Sequence, residues 1–229
     1  LFTSKGISLV NLFMGNDNDI IELAAQLRCP SGERGIVIAQ NMDFTNANVI
    51  SKTIDTIKLE DNDKVLEIGP GNGSHVWKVL EKASNIHYRG VDISETMIAE
   101  AEKLNEGVAN VFFRLTDGEL LPFDDNKFSK IFTTNTIYFW KDPVTYAREI
   151  GRVLQREGLL SIGFIPKRIM QYIPFAQHGF TLYEEDAVAS LMIKSGFEVI
   201  AETTEKEIIT GPHGENIERE FVIITSKKL

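Results

Sequence analysis

The sequence predicts a doubly wound α/β fold preceded by a helical cap. Three observations carry that expectation. A short apolar strand, Val65-Leu66-Glu67-Ile68, runs directly into glycines at 69, 71 and 73. Apolar residues at helical spacing follow at Val76, Val79, Leu80 and Ala83, so strand, glycine loop and helix succeed one another without a gap. Further short apolar strands then alternate with helical patterns, as in a parallel sheet wrapped by crossover helices. The glycine loop presents backbone N–H groups and a helix N-terminus to a ligand. Glycine is needed where the backbone takes positive φ or approaches a ligand closely.

Bulk properties narrow the function classes. At 229 residues and 43% hydrophobic, the chain has material for one domain with a sizeable core. A formal net charge of −9 and a pI near 5.0 weigh against nucleic acid as the default partner, because gripping a phosphate backbone takes clustered Lys and Arg. A single cysteine, Cys29, leaves no intrachain disulfide and no cysteine metal cluster. No close His, Asp and Glu set has metal-ligand spacing, so no metal is expected. No apolar run reaches the length of a membrane span, and no signal-peptide pattern is visible. The expectation is a cytoplasmic protein.

Taken in order, Leu9 to Met14 is an apolar stretch of open meaning within residues 1–16. Asp17 to Leu27 predicts a helix with Ile20, Leu23, Ala24 and Leu27 on one face, stopped by Cys29-Pro30-Ser31-Gly32. Gly35 to Ala39 reads as a short strand or a helical turn. Thr45 or Asn46 caps a second predicted helix carrying Val49, Ile50, Ile54 and Ile57. The reading divides the chain at this point: residues 1–44 form an N-terminal extension or cap, and 45–229 form the main domain. The segment before the glycine loop either packs on the sheet or covers a ligand pocket.

Ile86 to Val91 is the second strand and ends at Asp92. A carboxylate there can accept both hydroxyls of a ribose; it also suits the N-terminus of the helix that follows Ser94. Ile93 and Met97 line an adenine face or serve as core. Val111 to Leu115 is the third strand, followed by Thr116-Asp117-Gly118. Asp117 can accept from an adenine amino group while the backbone near Gly118 donates to a ring nitrogen; Asp-Gly is equally a turn pair. Strand four, Phe128 to Thr133, leads into Thr134, Asn135, Tyr138 and Trp140, where ligands bind outside the strand ends. The two aromatics wall a pocket or pack structurally. Asp142-Pro143 starts a helix, and Gly158 to Ile165 is strand five. Pro166 to Phe180 has no clear period and suits a substrate lid. After a helix ending at Gly196, Phe197 to Thr204 and Glu218 to Thr225 form a hairpin around Gly211-Pro212-His213-Gly214, which makes the last strand antiparallel.

The pattern Glu67-x-Gly69-x-Gly71-x-Gly73, with Gly90-Val91-Asp92, Thr116-Asp117-Gly118, Leu121-Pro122-Phe123 and Gly196-Phe197, resembles the class I S-adenosylmethionine (SAM)-dependent methyltransferases. The likeness is to the small-molecule group that includes the ubiquinone and menaquinone biosynthesis enzymes, over about residues 45–226. It implies a Rossmann-like seven-stranded sheet in the order 3-2-1-4-5-7-6 with strand seven antiparallel. It implies SAM as cofactor, held by Gly69, Gly71, Asn72 and Gly73 around its methionine part. Glu67 would lie near the amino group, Asp92 on the ribose, Asp117 on adenine, and Thr134 or Asn135 near the sulfonium. The expected partner is a small-molecule methyl acceptor. The strand-four end, Thr134-Asn135-Thr136-Ile137, departs from the N-P-P-Y or D-P-P-Y tetrad of amino-group methylation in nucleic acid. Tyr138 and His178 are weak candidates for a general base, with Tyr172 and His75 behind them. The rival readings are an NAD-dependent oxidoreductase, a non-enzymatic SAM-binding regulator and, less favoured, an RNA methyltransferase.

Overall fold

A computed structural model describes residues 17–210 and 215–229. The apolar stretch at Leu9 to Met14 and the Gly211 to Gly214 turn lie outside the described residues. The elements are α1 (Asp17–Arg28), α2 (Gly32–Thr56), β1 (Lys64–Ile68), α3 (Val76–Leu80), β2 (His87–Asp92), α4 (Glu95–Leu104), β3 (Val111–Leu115), β4 (Phe128–Thr134), α5 (Pro143–Val153), β5 (Leu154–Phe164), α6 (Lys167–Met170), α7 (Glu185–Lys194), β6 (Phe197–Thr210) and β7 (Asn216–Lys228). Short 3-10 turns occupy Ile137–Phe139 and Pro174–Gln177.

The seven strands form one sheet in the order β3-β2-β1-β4-β5-β7-β6. Strands β1 to β5 pair in parallel, and β7 runs antiparallel to β5 and β6. The fold class, the strand order and the reversed last strand are all as expected. Side chains alternate across the central strands. Val65, Tyr88 and Phe132 face Ile50, Ile54, Val76 and Val79 from α2 and α3, and Ile57 just past α2. Leu66, Ile131 and Leu160 face Ala147, Ile150, Val188 and Met192 from α5 and α7. Both faces are therefore dry, as a parallel sheet requires.

Two local expectations are corrected. Gly35 to Ala39 is helical, and no helix begins at Thr45 or Asn46: α2 runs unbroken for 25 residues through both. The reason lies in the hydroxyls. Thr45 Oγ1 donates to the Asn41 carbonyl at 2.9 Å and Thr53 Oγ1 to Val49 at 2.7 Å, so these side chains bond back into the helix instead of capping it. The division of the chain at 44/45 consequently falls inside one helix. The second correction concerns the hairpin, whose strands extend to Thr210 and from Asn216, well past the expected ends. Helix α2 also lies close on the sheet. A Cβ at Gly163 would stand 2.2 Å from Thr53 Oγ1, so only glycine admits α2 at this depth.

Candidate active site

The carboxyl ends of β1 to β5 open into one cavity of about 320 Å³, within the size range of small-molecule sites. Helix α2 crosses above it. The cavity has two halves, set by strand order. One lies over β1, β2 and β3; the other lies over β4, β5 and β7.

The first half is built from turns. Gly69, at φ +74°, bonds through its N–H to the Val91 carbonyl at 2.8 Å. A Cβ there would meet Thr136 Cγ2 at 2.4 Å. Gly71, at φ +56°, has no neighbour within 4 Å of where a Cβ would stand; the space it leaves open belongs to the cavity, which Gly71 lines. The loop's other expected members lie outside the lining. Asn72 is absent from the lining; its Oδ1 accepts the Ser74 N–H at 2.9 Å and shapes the turn. Gly73 lies outside the lining, and a Cβ there would meet Phe113, Ala101 and Asn105.

Asp92 ends β2 with its carboxylate buried. Oδ1 accepts the Ser94 N–H at 2.9 Å and Oδ2 the Gly71 N–H at 3.2 Å. Burial raises its pKa to about 6, against the lowering effect of those N–H groups. A carboxylate has about four lone-pair sites, so acceptor capacity remains on the cavity side. Ile93, Met97, Asp117 and Gly118 line the same half. Asp117 Oδ1 accepts the N–H groups of Glu119 and Leu120, both at 2.8 Å, and these hold its pKa low. The residue therefore builds its turn as well as facing the cavity.

Glu67 lines the cavity with both oxygens engaged. Oε1 bonds His75 Nε2 at 2.7 Å, and Oε2 accepts the Tyr88 hydroxyl at 2.5 Å. All three side chains are buried. Burial disfavours a charged His75, yet Glu67 and the nearby Asp43 hold its pKa above the ordinary value. Its Nδ1 is buried without a hydrogen-bond partner. Asp43, from α2, accepts the Ser74 hydroxyl at 2.8 Å, and its pKa is raised by burial. The α2 helix is thus tied to the glycine loop.

The second half is aromatic and apolar. Tyr138, Phe139, Phe175 and Phe180 line it with Ile165 and Met170. Thr134 and Asn135 stand at the junction of the halves; Thr134 Oγ1 is buried without a partner. Tyr138 lies in the lining, but its hydroxyl accepts the Ile165 N–H at 2.6 Å and sits 3.0 and 3.1 Å from the Ile165 carbonyl and Asn135 Oδ1. Burial raises its pKa far above the usual tyrosine value. That hydroxyl holds β5 to the Ile137 turn and is poorly placed to take a proton. His178 is exposed and outside the lining, as is Tyr172, 81% exposed.

Sequence reading missed the cap's contributions: Gln26, Arg28, Pro30, Met42 and Asp43, and from the far end Arg219. Ser94 Oγ donates to the Pro30 carbonyl and Cys29 Sγ to that of Ile93 at 3.7 Å, which seats the α1–α2 turn on the end of β2. Arg219 carried a signal: it shares a strand face with Phe221 and Ile223, both buried. Among the described residues no helix is long and apolar enough to cross a membrane, and no group of three or more His, Cys, Asp and Glu stands ready for a metal.

A methyltransferase domain model matches residues 66–162. The Bacillus subtilis (strain 168) protein YrhH, named as a methyltransferase, is 35% identical over 123 residues, 50% of this chain and 67% of its own length. The chain belongs to this methyltransferase family. The Thermotoga maritima demethylmenaquinone methyltransferase is 33% identical over 135 residues, 55% of this chain and 57% of that protein. Among solved structures, a Haloferax volcanii methyltransferase in complex with the Trm112 activator matches with TM-score 0.73 at 16% identity, over 82% of this chain and 92% of that one. A SAM-dependent methyltransferase from Aquifex aeolicus matches with TM-score 0.61 at 19% identity, over 94% and 100%. At such identities the structural likeness speaks for the fold. The chain is a SAM-dependent methyltransferase, and the dehydrogenase reading falls with that assignment.

Proposed function

We propose that the protein transfers a methyl group to a small-molecule acceptor, with SAM held over β1, β2 and β3 and the acceptor over β4, β5 and β7. The observation that carries this reading is Asp92: a buried carboxylate with lone pairs left over, beside the open space at Gly71. A vicinal diol supplies the two donors such a carboxylate lacks. Ile93, Met97 and Gly118 offer an apolar slot next to it for a flat base, with Asp117 at its edge. The orphaned Thr134 hydroxyl and Asn135 stand at the junction, where the transferred group would pass. Glu67 spends one lone pair of each oxygen on His75 and Tyr88 and, like Asp92, keeps acceptor capacity for a ligand donor such as an amino group. It stands with Asp43 and His75 near the glycine loop, where a ligand's amino-acid end would lie.

SAM supplies a methyl group already activated by its sulfonium, so the protein's task is alignment and exclusion of water. The roof from α2 and the aromatic walls provide both. Among the described residues no side chain in the second half is placed as a dedicated base, which favours acceptors whose nucleophile is already available. A roofed, apolar cavity suits a small molecule better than a base within a polynucleotide.

Parallel calorimetric titrations with SAM, S-adenosylhomocysteine (SAH) and NAD test the reading. Micromolar binding of SAM and SAH, with none of NAD, is expected. Binding of NAD alone would overturn it.

A further inference from the structure

The second half of the cavity holds a cation that the reading above does not use. Arg219 lies on β7 three residues before Val222, the antiparallel partner of Phe164 at the end of β5. It therefore stands beyond the carboxyl end of β5, where it lines the cavity. Its side chain is only 10% exposed. Nε and Nη2 both donate to Glu207 Oε1, at 2.8 and 2.5 Å, directly across the β6–β7 ladder. Nη2 also donates to the Thr45 carbonyl of α2 at 2.9 Å. A guanidinium carries five N–H donors. These bonds use Nε and Nη2 and leave Nη1 with no hydrogen-bond partner among the described residues.

The walls of this half of the cavity are apolar. Phe180 packs on Phe139, Phe175 and Tyr138 with ring centroids 4.6, 5.6 and 5.7 Å apart. Aromatic walls alone would suit either a neutral ring or a cation, since the faces of the rings are electron-rich. Arg219 decides between them. Glu207 bonds Arg219 through Oε1 and lies outside the cavity lining, so it offers a cationic ligand nothing, while the unassigned Nη1 donors call for an oxygen acceptor. Because Glu207 compensates the charge, that oxygen need not be fully anionic.

We propose that the methyl acceptor is a flat, apolar ring system bearing a carbonyl, phenolic or carboxylate oxygen, and that Arg219 Nη1 receives that oxygen while the Phe139–Phe180 pair contacts the ring. The proposal rests on the methyltransferase reading and adds the acceptor's chemical class and the residue that selects it. Amines and quaternary ammonium compounds are disfavoured.

The test uses the full chain saturated with SAH and three probes of one shape: 2-naphthol, 2-naphthoate and 2-naphthylmethylammonium. Calorimetry should show the better of the two oxygen probes binding at least about tenfold tighter than the ammonium probe, the scale of a hydrogen bond to a charged group. Arg219→Met should abolish that preference with SAH affinity unchanged, and Arg219→Lys should retain part of it. Equal or tighter binding of the ammonium probe would overturn the proposal. So would failure of all three probes on protein that still binds SAH, or an undiminished preference in Arg219→Met. If the Met variant does not fold, the wild-type probe series decides alone. Failure of SAH itself to bind would remove the methyltransferase reading, a distinct result that takes this proposal with it.

Discussion

The two halves of the cavity are made in different ways. Over β1 to β3, the lining comes largely from three consecutive strand ends, between Glu67 and Gly118, and consists of tight turns, backbone N–H groups and buried carboxylates. Over β4, β5 and β7, it comes from segments scattered between Met42 and Arg219 and consists of side chains: aromatic rings, aliphatic residues and the paired Arg219. The first kind of site is fixed by backbone conformation and admits little variation. The second is fixed by packing and can be re-cut by substitution. One fold can therefore keep a constant donor and change its acceptor.

The largest expected effect lies in the first half. Moving the Asp92 pKa from 3.8 to about 6 corresponds to about 3 kcal/mol by which the folded ligand-free protein disfavours the carboxylate at neutral pH. Asp92→Asn should thus raise the melting temperature of the ligand-free protein while weakening SAH binding by roughly 1–3 kcal/mol. A variant that loses stability and keeps its affinity would erase the distinction between a ligand-serving carboxylate and a structural one.

In the second half the opposite sign is expected. Tyr138→Phe removes the acceptor of the Ile165 N–H inside the core and should lower stability by about 1–2 kcal/mol, with SAH affinity nearly unchanged. Chemical denaturation and SAH titration of the same sample separate the two effects.

Titration of Asp92 sharpens the contrast further. Its folded pKa lies above the unfolded value, so the folded protein retains a proton that the unfolded chain releases between about pH 4 and 6. Its contribution to stability therefore falls as pH rises through that window and stays low above it. Ligand hydroxyls favour the ionised form, so SAH affinity should be full above about pH 6 and decline below it, up to about tenfold per unit. An Asp92→Asn protein should show neither dependence; a wild-type affinity flat from pH 5 to 7 would refute the assignment.

The smallest effects are expected outside both halves. His178→Ala and Tyr172→Phe should change stability by no more than about 0.5 kcal/mol and leave turnover intact once an acceptor is found. A large loss of turnover in either would mean that the Pro166–Phe180 segment folds inward during catalysis.

The two halves also differ in how far sequence foretold them. The glycine spacing, Asp92 and Asp117-Gly118 are local signals: a strand, a turn residue and a helix start adjoin one another in the chain. The sheet order followed from the family resemblance that those signals carry. The continuity of α2 was hidden because Thr45 and Asn46 serve equally as caps and as interior residues, and only the bond from Thr45 to Asn41 decides. That Asn72 and Gly73 lie outside the lining was hidden because a turn-former, a packing glycine and a ligand-facing glycine look alike in sequence. Arg219 pairs with Glu207 and Thr45, the latter 174 positions away, and no local pattern encodes such a distance.

Helix α2 places its Ile50 and Ile54 in the core while Met42 and Asp43 overlook the cavity. A helix turns about 100° per residue. A single insertion between these groups would swing the roof a quarter-turn away from the ligand or twist the apolar face off the sheet. Related chains are therefore free to change residue identity here but not length, whereas the Pro166–Phe180 segment, bounded by a strand and a helix and made of short turns, is free to lengthen. New acceptors should be reached through loop growth on that side of the cavity and through point changes on this one.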